Sequence, residues 1–425
     1  MPPFHLTAAR ISPLLFGVAL LLLGTGLFNT LLAVRASAEG FGQALLGVIM
    51  SSYFCGFIVG TFTAPLMIRR AGHIRTFAIC AALASSTAIG HALSGEPLVW
   101  MLLRALTGIS LVGLYAVVES WLATQAHGGE RGRVFALYMV VNLLALAAGQ
   151  FLMLLADPNS LALFGIVSML VSLSIIPVAL TRLEQPQPPH SPRLRVRRMV
   201  WTAPVAAAGA LCSGLAMGAF WGMAPAFVQQ QGALTAEIAV FMSATILGGA
   251  ALQWPLGRYS DGGDRRYALG LVSLAAASVI LLVWAVNLLL NVLALPLMFL
   301  YGGLAFAAYP VAMAHLSDRL PPQELLEGAS VLLLVHGLGA AVGPALAGLM
   351  MGLLGPGWLL AYLAACWALL AACCRWALVR QPARWDETPQ PFVPMLRTSA
   401  AALELLSEET ESAQGLVADS SDAVR

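Results

Sequence analysis

The sequence contains no lysine, so all 22 of its basic residues are arginine. Charge of either sign is scarce, at 10% of 425 positions, against 59% hydrophobic residues. Soluble domains carry roughly 25% charged residues. So little charge cannot cover a water-soluble body of this size, and a mean hydropathy of +0.83 makes lipid the solvent for much of the chain. A net charge of +2 is not the basic balance of a nucleic-acid binder, and no such partner is expected. The cysteines, Cys55, Cys80, Cys212, Cys366, Cys373 and Cys374, are scattered through apolar runs. They lack metal-site spacing and read as small packing residues rather than disulfides. Also missing are a Gly-x-Ser-x-Gly elbow, a phosphate loop and any His/Asp/Glu metal spacing. The chain therefore offers little to an enzyme, and no cofactor is expected.

What is present is a series of apolar runs of about 20 residues, the length that crosses a bilayer as a helix. The first set lies near 13–34, 42–67, 75–94, 98–122, 133–156 and 160–181. The second lies near 201–228, 236–257, 267–286, 290–316, 326–353 and 357–379. Backbone groups in lipid must be satisfied within the segment, and these runs are too long and uniformly apolar for barrel strands. Ala36-Ser37-Ala38 resembles a cleavage site, but the preceding run is longer than a signal core and reads as a span. The predicted fold is an all-α integral membrane protein of twelve transmembrane helices.

Arginine placement predicts the orientation. Arg69, Arg70 and Arg75 follow the second run, Arg131 and Arg133 the fourth, and Arg193, Arg195, Arg197 and Arg198 the sixth. Arg258, Arg265 and Arg266 follow the eighth, Arg319 the tenth, and Arg375, Arg380 and Arg384 the twelfth. Loops of opposite parity hold only Arg35. Both termini are therefore expected in the cytoplasm, with the chain in a bacterial-type inner membrane and the lipid bilayer as its first partner.

The internal organisation reads as a duplication. Residues 1–183 and 200–380 form two six-span halves, joined by a proline- and arginine-rich linker over 184–199. A shift of about 192 residues places Gly40 on Gly232, Met50-Ser51 on Met242-Ser243, and Gly56 on Gly248. Further on, Gly149-Gln150 falls on Gly343-Pro344. Residues 381–425 read as a disordered cytoplasmic tail with at most a short helix at Ala400–Glu409.

Several strings carry a family resemblance. The loop Gly257-Arg-Tyr-Ser-Asp261-Gly-Gly-Asp264-Arg265-Arg266 resembles the loop signature of major facilitator transporters. Gly257, Asp261, Arg265 and Arg266 match; Gly262 and Asp264 depart. The first-half copy keeps Gly72 and Arg75 but has Arg69 in place of the aspartate and Pro65 in place of the first glycine, with Arg70 alongside. Arg104 with Gly108 resembles the family's intramembrane arginine motif. Gly339, Gly343 and Pro344 resemble its glycine-proline motif, here in the eleventh run rather than the fifth, so direction is not fixed by it. Gly72-His73-Ile74-Arg75, Glu119-Ser120-Trp121-Leu122, Arg131-Gly132, and His315 with Asp318 resemble the YcaD-like branch of the superfamily. The resemblance covers nearly all of residues 10–380. It implies two pseudo-symmetric six-helix bundles, a site between them at mid-membrane, and gating loops at Arg69–Arg75, Gly257–Arg266, His315 and Asp318. Small residues every fourth position equally mark close helix packing.

Charge at membrane depth is costly and points to function. At 100° per residue, Arg104, Tyr115 and Glu119 share one helix face, which must turn inward. Arg104 and Glu119 are roughly 22 Å apart along that helix, so Arg104 needs a partner from another helix or a substrate anion. Glu119 is a candidate proton site; the competing reading pairs it with Arg131 or Arg133 at the helix end. Asn29, Tyr53, Asn142, Gln150, Trp221, Tyr309 and His336 are further candidates for a substrate or proton pathway. His336 has a side chain that ordinarily titrates near neutrality, and equally suits a packing histidine. The expected function is alternating-access transport of a small solute by a monomer, with protons as the candidate coupling ion and export preferred to import. The alternatives are a transporter-like sensor or scaffold without flux and, more distantly, a membrane-embedded enzyme.

Overall fold

The computed structural model describes residues 4–125, 131–180, 195–285 and 293–380. Residues 184–194 of the linker expected over 184–199, the side chain of Arg131 and the tail over 381–425, with its helix at 400–409, lie outside the described residues.

Twelve helices among the described residues are long and apolar enough to cross a membrane. In the first half they are α1 (Phe4–Ala38), α2 (Gln43–Ala71), α3 (His73–Leu93), α4 (Pro97–Gln125), α5 (Arg131–Phe151) and α6 (Leu161–Leu173), the last completed to a span over Leu161–Ala179 by the short helix that follows it. In the second they are α7 (Pro204–Gln230), α8 (Thr235–Asp261), α9 (Arg265–Ala285), α10 (Ala294–Ser317), α11 (Leu325–Leu354) and α12 (Trp358–Arg380). Each expected run is met by a helix. The sixth run, read as one span over 160–181, is broken at Ser174 and resumes as a short helix, Ile175–Ala179. Pro177 explains the break, because it has no N–H to give the Leu173 carbonyl four residues earlier. The seventh run likewise divides, with a short helix at Val196–Thr202 before Pro204 opens α7.

Turns follow from local chemistry. A single residue, Gly72, separates α2 from α3 at φ 82°, a left-handed conformation that side chains resist. Its N–H caps α2 on the Ile68 carbonyl at 2.8 Å and its own carbonyl accepts from Thr76 at 3.1 Å. At the start of α8, the Glu237 carboxylate accepts from the Leu234 N–H at 2.7 Å.

The surface is apolar and the polar groups are inside, the reverse of a soluble protein. Leu66, Leu102, Leu144 and Leu274 are exposed, while Arg104, Glu119, Asn142, Gln150, His91 and His336 are buried. Such an arrangement suits lipid outside and a polar seam within.

The helices approach through glycine. A Cβ on Gly56 would overlap the Ala105 carbonyl, and one on Gly108 the Tyr53 carbonyl, so α2 and α4 cross backbone to backbone. In α8 and α10, Gly248 meets the Phe299 carbonyl and Gly302 the Thr245 carbonyl in the same way. The offsets agree: Gly56 to Gly248 and Tyr53 to Thr245 are 192 positions, Ala105 to Phe299 and Gly108 to Gly302 are 194. A second crossing repeats with the same offsets. Gly26 meets Leu146 and Gly149 meets Leu23 between α1 and α5, as Gly218 meets Ala340 and Gly343 meets Leu215 between α7 and α11. The two six-helix bundles are thus copies of one packing scheme.

The bundles meet through α1, α2 and α5 of the first and α7, α8 and α11 of the second. Gly47 and Gly348 bring α2 and α11 together, and Ser51 Oγ accepts from the Ala345 N–H at 3.1 Å. Ser243, at the position equivalent to Ser51, donates to the Ala147 carbonyl at 2.9 Å between α8 and α5. These seals lie toward the membrane face opposite the arginine-rich turns.

Candidate functional site

A cavity of about 120 Å³ lies between the bundles, small beside the roughly 300–1,000 Å³ of drug-sized pockets. Both halves line it. From the first come Thr25 and Asn29 of α1, Tyr53, Phe54 and Phe57 of α2, Arg104 and Tyr115 of α4, and Asn142 of α5. From the second come Trp221 and Gly222 of α7 and His336, Gly337 and Ala340 of α11. No carboxylate lines it among the described residues.

Arg104 dominates the electrostatics. It is 3% exposed. Its guanidinium lies over the Tyr53 ring, 4.7 Å from the centroid, where the ring face attracts a cation. One Nη donates to Asn29 Oδ1 at 3.2 Å, and Nε is buried without a partner. The required contact from another helix is therefore a neutral amide and a π face, neither of which cancels the charge.

His336 stands across the cavity on α11. Its Nδ1 donates to the Ala210 carbonyl at 3.2 Å and lies 3.1 Å from Ser213 Oγ, both on α7. Its ring packs on Tyr309 with centroids 4.8 Å apart. Tyr309 thus supports the cavity wall through His336 rather than lining it.

Other candidates fall elsewhere. Glu119 shares α4 with Arg104 but is fully buried outside the cavity lining, and it accepts from Tyr138 Oη at 3.2 Å. Gln150 ties α5 to α1: Nε2 donates to the Gly26 carbonyl at 2.9 Å, and Oε1 accepts from Thr30 Oγ1 at 2.6 Å. Asn142 donates to the Tyr138 carbonyl at 2.8 Å within α5 while facing the cavity. Gly339 and Pro344 pack at helix crossings, against Leu211 and Gly47 respectively.

The turn residues divide by half. In the second, Arg265 donates to Asp318 at 2.6 Å and to Asp261 at 2.9 Å, linking the ends of α8, α9 and α10. Arg266 pairs with Asp264 at 2.7 Å, and Arg319 lies 2.9 Å from His315 Nδ1. Burial pushes the Asp264 carboxyl up, but hydrogen bonds and charge from Arg266 outweigh it and hold the group below the usual carboxylate range. In the first half Arg69, Arg70 and Arg75 are exposed. His73, 192 positions before Arg265, instead packs on Trp121 with centroids 5.8 Å apart.

Phe54, Phe57, Thr25 and Gly337 line the cavity without having been singled out from the sequence. A phenylalanine in an apolar run carries no polar signal. Phe57, however, lies four positions after Tyr53, so helical spacing alone places it on the same face.

The sequence profile described as Major Facilitator Superfamily matches residues 14–324. Among curated proteins, the "Uncharacterized MFS-type transporter YcaD" of Salmonella newport is 28% identical over 340 residues, which is 80% of this chain and 88% of that protein. The protein of the same name from Salmonella typhi matches to the same extent. Among solved structures, the nucleoside transporter NupG superposes with a TM-score of 0.68 at 14% identity, covering 88% of this chain and 99% of that one. A bacterial homolog of the human lysosomal transporter Spinster, inward-facing and unoccupied, gives a TM-score of 0.66 at 14% identity, covering 96% and 98%.

Proposed function

The chain belongs to the Major Facilitator Superfamily and is a multi-pass membrane transporter, and from that premise we propose that it moves a small solute through the cavity around Arg104 by alternating access. The observation that carries this reading is the placement of the cavity: both bundles line it, and their direct seals lie to one side of it. Two bodies that touch at one end and enclose a shared space can rock about it, exposing the space to each face in turn. The packing favours this, because the bundles share one close backbone crossing, Gly47 and Gly348 of α2 and α11, with the serine hydrogen bonds of Ser51 and Ser243 beside it, about which two rigid halves can pivot.

The arginine-rich turns lie on the cytoplasmic face of an inner membrane in this proposal, with both termini on that side. Protons are the proposed coupling ion. Glu119, buried against Tyr138 on the helix that carries Arg104, is the proposed carrier, because a buried carboxylate is costly to keep charged.

Flux in proteoliposomes tests the reading. Wild-type protein should move a subset of a compound panel, faster with an imposed pH gradient. Arg104→Ala should lose flux at least tenfold, and Glu119→Gln should keep binding but lose acceleration by the gradient. Equal flux by wild type and Arg104→Ala would remove Arg104 from the pathway. Gradient acceleration that survives Glu119→Gln would remove the carboxylate from coupling.

A further inference from the structure

We propose that the solute is an organic monoanion with an apolar body, held by its acidic group against Arg104; this deepens the transport reading and rests on it. The first support is the state of the guanidinium. A charge this buried is costly unless a counter-charge or several hydrogen bonds compensate it. Arg104 has one amide oxygen, a π face and an unpartnered buried Nε. No acid lines the space it faces among the described residues. The missing partner is an anion delivered from outside the protein, and a planar carboxylate meets the guanidinium fork with two charge-assisted hydrogen bonds.

The second support is the rest of the wall. Tyr53, Phe54 and Phe57 from α2 and Trp221 from α7 give it an apolar, largely aromatic character. An apolar body is recognised there by area and ring packing, while the acid fixes its orientation. One permanent charge on the wall accommodates one negative charge on the solute. A dianion leaves a negative charge uncompensated in a largely apolar space, and a cation meets repulsion from Arg104 with no acid on the lining to hold it.

The test uses full-length protein in phosphatidylcholine nanodiscs, which add no competing net anion. Thermal stabilisation, which follows ligand binding by mass action, is read with three matched series of graded body size. These are benzoate and naphthoate, their neutral amides, and the corresponding arylmethylammonium ions. At least one monoanion is expected to raise Tm, with its amide and ammonium partners at least tenfold weaker. Arg104→Gln should lose monoanion affinity at least tenfold.

A second variant guards against a folding failure in the first. Asn29→Asp places a carboxylate within reach of Arg104 and keeps the arginine. It should raise the Tm of the unliganded protein and weaken monoanion binding at least tenfold, by supplying the counter-charge internally. Amides or ammonium ions binding as tightly as their acids, no response to any monoanion, or undiminished monoanion binding in both variants would overturn the proposal. Flux of neutral or cationic solutes in that event leaves the transport reading standing. Absence of flux for all three classes removes that reading too.

Discussion

The Arg265 guanidinium, almost wholly buried, donates to the Asp318 carboxylate at 2.6 Å and so fastens the first turn of α9 to the end of α10. Asp261 shares the same arginine at 2.9 Å. Breaking a buried pair by removing one partner leaves a charge without compensation. Asp318→Asn should therefore cost about 1–3 kcal/mol, less than a full pair because Asp261 remains. Thermal unfolding in detergent measures the loss. A double-mutant cycle with Arg265→Gln should return a coupling above about 0.5 kcal/mol, and additivity would deny the link.

The equivalent position in the first half predicts the opposite sign. His73 is buried against Trp121, and its Nε2 has no partner. Replacing an unsatisfied buried polar group by an apolar one of similar shape is neutral or stabilising. His73→Phe is expected to hold or raise Tm, whereas Arg265→Leu lowers it. A clear drop for His73→Phe would show that the ring carries an ion-pair-like role after all.

Acid should weaken the second-half turn through Asp264. Arg266 depresses its folded pKa below the unfolded value near 3.9. A depressed carboxylate contributes stability above its unfolded pKa and loses that contribution as pH falls through the folded value. The Tm advantage of wild type over Asp264→Asn should be constant from about pH 7 to 5 and shrink below about pH 4. A pH-independent gap over that range would refute the assignment.

Glycine at the crossings should be irreplaceable. Gly56→Ala forces a methyl into the Ala105 carbonyl, at a cost of about 2 kcal/mol or more. Gly248→Ala should cost a similar amount, because it meets Phe299 in the same geometry. Gly165→Ala, with open space around the added carbon, should be tolerated or mildly stabilising. Size-exclusion profiles and unfolding of the three variants make the comparison.

Gln150 separates packing from recognition. It bridges α5 to Gly26 and Thr30 of α1 outside the cavity. Gln150→Leu should lose about 1–3 kcal/mol of stability by orphaning those partners while leaving solute affinity within about twofold. A selective loss of affinity at full stability would return Gln150 to the pathway.

Most of the architecture was legible because the bilayer imposes a length on every span and tolerates few charges. Arg104 was legible for the same reason, being an expensive group deep in an apolar run. The breaks at Ser174 and Ala203 were not, although Pro177 and Pro204 announced them, since hydropathy averages over single residues. The walls supplied by Phe54 and Phe57 were hidden because lipid and cavity favour the same side chains. Gln150 and Glu119 were polar enough to be noticed, yet polarity alone does not say whether a partner is a neighbouring helix or an empty space.

The glycine crossings carry a mechanical meaning. Where two backbones rest on each other with no side chain between them, nothing can be squeezed or rotated to absorb a displacement. The pairs α2–α4 and α1–α5, like α8–α10 and α7–α11, behave as stiff planks. A push delivered at the Arg104 level is therefore carried along the paired helices toward the turns at the plank ends. The same kind of contact recurs between the bundles, where Gly47 and Gly348 seat α2 on α11, so the halves are left to turn about that fixed crossing, with Ser51 and Ser243 adding one hydrogen bond each beside it.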